Sequence, residues 1–202
     1  MTDPRTPECC TLDALERRQR TTLRTVLGIN AAMFAVELTA GLAAGSSALL
    51  ADSLDMLGDA LAYGVTLYAV GRGARWKAWA ALIKGVLMWS FGAFVLAETV
   101  LGIVSAQIPH HRTMGAIALL ALLANALCLG LLWRHRSDDL NMRSVWLCSR
   151  NDIVANVAVL AAAAGVQATR SVWPDAVVGF AIALLFLRSA TGVLAAASRA
   201  LS

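Results

Sequence analysis

Two pairs of residues have the types and the spacing to do metal chemistry: Asp55 with Asp59, and Cys148 with Asp152. On an α-helix an offset of four stacks two side chains on one face, a turn apart. Each pair therefore presents two ligands in one direction. Asp52, three residues before Asp55, extends the first face, and Asn156, four residues after Asp152, extends the second. Two ligands from each of two facing helices close a tetrahedron. One sulfur with three oxygen donors suits Zn²⁺ or Cd²⁺, with Co²⁺ or Fe²⁺ next in order. The carboxylates at 52, 55 and 59 repel one another and need a cation or protons to stand together. A structural cluster, in which they pair with Arg150, Lys84 or Arg188, is the alternative reading of the same residues. Cys148 by itself would read as a small packing residue, and its spacing to Asp152 is what makes it a candidate ligand.

The elements that must hold these residues are membrane helices. The chain has 202 residues, of which 58% are hydrophobic and only 15% charged. That is too apolar for an ordinary soluble domain. A span takes about 20 apolar residues, which leaves room for six. Apolar runs punctuated by charge place them near residues 26–44, 48–70, 78–104, 114–133, 145–166 and 176–197. The expectation is an all-α membrane protein with residues 1–24 as an N-terminal tail, 25–198 as a six-helix transmembrane domain and 199–202 as a short end with no C-terminal domain. The second half of the tail, from Asp13 to Arg24, is expected as a short interfacial helix.

Charge sets the expected orientation. Arg5, Arg17, Arg18, Arg20 and Arg24 lie in the tail, Arg72, Arg75 and Lys77 in the second loop, Arg134, Arg136 and Arg143 in the fourth, and Arg199 at the end. The intervening loops hold only Arg112 and Arg170. The positive-inside rule then puts both termini in the cytoplasm. The net charge of +4 belongs to these loops and is no nucleic-acid footprint. The polar first stretch does not resemble a cleavable signal peptide. Cys9, Cys10, Cys128 and Cys148 do not make a secreted disulfide framework, although the adjacent Cys9 and Cys10 form a plausible soft-metal capture pair. His110 and His111 fall in an exterior loop and read as solvated.

Ionisable side chains inside spans cost at least about 2.5 to 3.5 kcal/mol each on insertion scales. Glu37, Asp52, Asp55, Asp59, Lys84, Glu98, Arg150, Asp152 and Arg188 all fall there, so each is a functional candidate until paired. Metal ligands must be deprotonated, so protons and metal compete for the same carboxylates. Proton exchange is the driving force this chemistry offers. Neither a nucleophile with a positioned base nor a cofactor-cradling glycine loop stands out, so no enzyme and no prosthetic group is expected.

The stretch from Gly45 to Asp59, GSSALLADSLDMLGD, resembles the signature of the cation diffusion facilitator (cation efflux) family of divalent-metal transporters. Asn30 and Glu37, Glu98, Asn125, the Asp139 to Arg143 lead into the fifth span, and Trp173-Pro174-Asp175 extend the likeness. The resemblance implies a transport site of Asp55, Asp59, Cys148 and Asp152, with Asp52, Asn156, Cys9 and Cys10 as auxiliary candidates. Cys148 stands where the family usually has His, which shifts the expected cargo toward cadmium, mercury or another thiophilic ion beside zinc. The family usually continues into a cytoplasmic C-terminal domain. The resemblance also implies a homodimer, which would rest here on the small-residue face from Gly85 to Ala97 in the third span. The expected function is a secondary transporter in the inner membrane, exporting a divalent cation in exchange for protons. A membrane metal sensor or binding subunit is the alternative, and nucleic acid is no partner.

Overall fold

A computed structural model describes the backbone of residues 7–69, 74–133 and 140–201, and the side chains of 21–64, 78–133, 152–199 and 201. The described residues form six helices: α1 (Pro7–Ala44), α2 (Ser47–Ala69), α3 (Ala74–Ser105), α4 (His111–Trp133), α5 (Leu140–Thr169) and α6 (Trp173–Leu201). All but α2 contain a stretch long and apolar enough to cross a membrane, namely Thr21–Ala44, Ala78–Ser105, His111–Trp133, Asp152–Thr169 and Trp173–Arg199. The exception has a plain cause, since Asp52, Asp55 and Asp59 all fall within α2. The expected interfacial helix is not separate, because α1 runs unbroken from Pro7 into the first span.

Packing compensates for the polarity of α2. It lies against α1, α3, α5 and α6, and Ala48, Leu49, Leu50, Ala51 and Leu54 are buried in the main core with Met88, Val159, Ala183 and Phe186. The outer surface is the reverse. Val104, Val154 and Leu185 are 80%, 68% and 69% exposed, a display of bulky apolar side chains that a bilayer covers and water does not. The chain is an integral, multi-pass membrane protein.

Glycines set how closely helices approach. A Cβ at Gly85 would lie 2.8 Å from Leu194, and one at Gly92 would lie 2.7 Å from Leu187. At Gly85 and Gly92 the small-residue face of α3 is therefore filled by α6 of the same chain, while Ala97 at its far end is exposed. Lost side-chain bulk at these two positions goes into α3–α6 packing.

The end of the bundle that holds the α1–α2, α3–α4 and α5–α6 turns is closed by left-handed residues: Gly45 at φ 63°, Ala106 at 50° and Arg170 at 49°. At the end of α1, Gly45 N–H donates to Leu42 O at 3.3 Å and Ser46 N–H to Gly41 O at 3.0 Å, which is a Schellman cap. The same pattern closes α3, where Ala106 N–H meets Ile103 O at 3.1 Å and Gln107 N–H meets Gly102 O at 3.3 Å.

The start of α2 is capped across the bundle. Asp175, in the first turn of α6, accepts from Ser47 N–H at 2.7 Å, Ala48 N–H at 3.1 Å and the Ser46 hydroxyl at 2.6 Å. The Ser46 oxygen in turn accepts from Leu49 N–H at 3.1 Å, and Leu50 N–H begins the ladder on Ser46 O at 3.1 Å. Every orphan amide of the first turn has a partner, and a carboxylate sits on the positive end of the helix dipole. Gly179, one turn beyond Asp175, makes the approach feasible, because a Cβ there would lie 2.6 Å from the Ser47 carbonyl carbon.

Candidate metal site

The polar groups around the expected site come from α1, α2 and α5, with α2 packed against both of the others. On α1 the buried positions Leu23, Val26, Asn30, Met33 and Glu37 follow the three-and-four spacing of one helical stripe. Asn30 and Glu37 are the polar members of an otherwise apolar seam. On α2, Asp52 is fully buried while Asp55 and Asp59 are half-buried, and on α5 Asn156 is fully buried with Asp152 half-buried one turn before it.

Asp59 is the best-connected carboxylate. The Tyr63 hydroxyl donates to its Oδ2 at 2.6 Å, and Asn30 Nδ2 approaches the same oxygen at 3.4 Å. Across the α2–α5 contact the side chains of Asp59 and Asp152 approach within interaction distance of each other. Lys84 of α3 lies within electrostatic reach of Asp59. Two of the four expected ligands, one from each helix, thus meet directly. Asp55 adds its charge beside Asp59, Asp152 and Glu37.

Asp52 and Asn156 also join α2 to α5. Asn156 Nδ2 donates to Asp52 Oδ1 at 3.1 Å and to the Asp152 carbonyl at 2.9 Å. Arg188 is exposed, so the structural alternative of an Arg188 ion pair has no support. The side chains of Cys148 and Arg150 lie outside the described residues, as do those of Cys9 and Cys10. Among the described residues no set of three or more His, Cys, Asp or Glu is gathered as a metal-binding group.

Two features of this region went unread in the sequence. Tyr63 sits one turn past Asp59, the same spacing that marked the carboxylate pair, yet a phenol among apolar residues gives no sign of its partner. Glu37 was legible as a misplaced charge, but its place beside Asp52, Asp55 and Asp152 depends on how α1 is rotated against α2.

Residues 23–202 match the family model of the cation efflux transmembrane domain. The chain belongs to the cation efflux family. Among curated proteins, this cation efflux domain is 33% identical over 181 residues to the zinc transporter ZitB of Escherichia coli K12, covering 83% of the chain and 58% of that protein. It is 31% identical over 181 residues to ZitB of Pectobacterium atrosepticum, covering 82% of the chain and 56% of the relative. It is 24% identical over 177 residues to the metal cation efflux system protein CzcD of Cupriavidus metallidurans, with 82% and 56% covered. The chain thus spans a little under three fifths of the length of these relatives.

Proposed function

We propose that this protein is a secondary transporter that exports a divalent metal cation, zinc, cadmium or a similar ion, from the cytoplasm in exchange for protons. Asp55, Asp59, Cys148 and Asp152 form the transport site. The observation that carries this reading is the approach of the Asp59 and Asp152 carboxyl groups, one from α2 and one from α5. Two carboxyl groups close enough to share one proton are close enough to share one cation, and the two occupants exclude each other. Proton and metal competing for one pair of oxygens is the chemical basis of exchange.

Six helices, with α2 sheltered by its neighbours, support a six-span topology, and the loop arginines support cytoplasmic termini. The relatives are bacterial efflux proteins, which supports the inner membrane as the site of action. Membership of a transporter family supports transport over catalysis.

The test is flux of Zn²⁺ and Cd²⁺ into proteoliposomes with an imposed pH gradient. Wild type should accumulate metal when the lumen is acidic, with luminal pH rising as metal enters. Asp59→Asn and Asp152→Asn should each abolish it. Metal binding without flux in the wild type would move the reading to a sensor.

A further inference from the structure

One helical turn from Asp55 on α2 and from Asp152 on α5, on the side of the α1–α2 turn, lies a layer of side chains that the transport site does not use. Glu37 of α1, Asp52 of α2 and Asn156 of α5 are each 0% exposed. Among the described residues both Glu37 carboxylate oxygens, Asp52 Oδ2 and Asn156 Oδ1 have no hydrogen-bond partner. An orphaned buried polar atom costs roughly 1 to 3 kcal/mol, and natural interiors keep few of them. Four oxygens left so in adjoining residues of three helices mark a place for a ligand.

The character of that ligand follows from the atoms. All four are acceptors, so the ligand is a cation or a donor. Glu37 and Asp52 repel each other across the α1–α2 contact, and their two negative charges balance one divalent ion. Asn156 is held in place by its donor side, since Nδ2 is committed to Asp52 Oδ1 and the Asp152 carbonyl. That leaves its amide oxygen free to complete an oxygen set. The amide is an independent sign, because a neutral side chain has no charge repulsion to explain its orphan oxygen.

We infer that Glu37, Asp52 and Asn156 form a second, all-oxygen divalent-cation station, one turn outward of the transport site, which receives the ion on its way out. The inference rests on the proposed transport reading for the direction of travel. Oxygen donors hold zinc and cadmium less tightly than a set containing thiolate. An ion passed to this station is held firmly enough to leave the first and loosely enough to move on. Glu37 lies within electrostatic reach of Asp55 and Asp152 as well as Asp52.

Cadmium on the purified full chain in lipid nanodiscs tests this, read by bound-metal analysis and ¹¹³Cd NMR. Wild type at saturating cadmium should hold two ions per chain, one with a sulfur-shifted resonance and one in the oxygen-only region. Glu37→Gln, isosteric and uncharged, should weaken the oxygen-only ion about tenfold or more, as fewer ligand charges do, and leave the sulfur-shifted resonance unmoved. Asp52→Asn should act likewise and serves if Glu37→Gln is poorly folded. Asp59→Asn should remove the sulfur-shifted ion and keep the other. A wild type that holds one cadmium, lost entirely in Asp59→Asn, overturns the second station and leaves the transport reading intact. A wild type that holds none overturns both.

Discussion

At the scale of single residues the transport reading turns on Asp59, Asp152 and Cys148, and on Tyr63, which holds Asp59 at 2.6 Å. Hydrogen bonds to a metal-ligating carboxylate fix its orientation, and removing such a partner commonly costs 10- to 100-fold in metal affinity. Tyr63→Phe should therefore weaken cadmium binding by roughly that factor, measured by competition with a fluorescent chelator, while leaving two cadmium ions bound at saturation. Cys148→His exchanges a soft sulfur for a borderline nitrogen. The expected result is a shift of relative transport rates from cadmium toward zinc in a metal panel, and an unchanged ratio would place Cys148 outside the ligand set. The four-residue spacing of Asp55 with Asp59 and of Cys148 with Asp152 stands in the sequence itself, and the approach of Asp59 to Asp152 agrees with it, while the Cys148 side chain lies outside the described residues. Tyr63 and the orphan oxygen of Asn156 were not legible there, since both depend on contacts between helices whose rotation no single segment encodes.

Among the elements, α2 shows how a helix can be polar and still lie in a bundle. Its helix could be read from the apolar residues between the carboxylates, but the reason those carboxylates are tolerated lies in α1, α3, α5 and α6 packing around it. The cap on its first turn is equally non-local. Asp175 was visible only as part of a tryptophan-proline-aspartate run, and nothing in α2 announces that its amides bond to α6. Asp175→Ala should leave Ser47 and Ala48 N–H without acceptors, a loss of about 2 kcal/mol or more. Gly179→Ala forces a Cβ against the Ser47 backbone, an overpacking cost of about 1 to 3 kcal/mol. Both should appear as lower thermal unfolding temperatures in detergent, with Asp175→Asn milder because its amide keeps one acceptor oxygen. An unchanged unfolding temperature in Gly179→Ala would mean that α6 stands farther from α2 than described. The α3 glycines were legible as close-packing positions, but a sequence does not say which helix takes up the space, here α6 at Gly85 and Gly92.

For the whole molecule, the orientation is the outstanding claim, and it has a direct readout. Single cysteines introduced at Ser105 and Ser171, near the ends of α3 and before α6, should react with an impermeant maleimide added outside intact cells. One at Arg75 should react only after the membrane is opened. Labelling of Arg75→Cys from outside would invert the topology and with it the direction of export. The clasp of Asp175 on α2 also carries a consequence for how the protein is made. Ser47 and Asp175 are 128 residues apart, so a ribosome adding about 5 to 20 residues per second needs roughly 6 to 25 s to supply the cap once the second helix has emerged. Throughout that interval α2 has three carboxylates and an unfinished first turn, with neither α5 nor α6 yet beside it. Lipid is a hostile host for such a segment. The nascent helix is better served by a hydrated place, at the translocon or against the interfacial headgroups, and its commitment to the bilayer interior is tied to the arrival of α6.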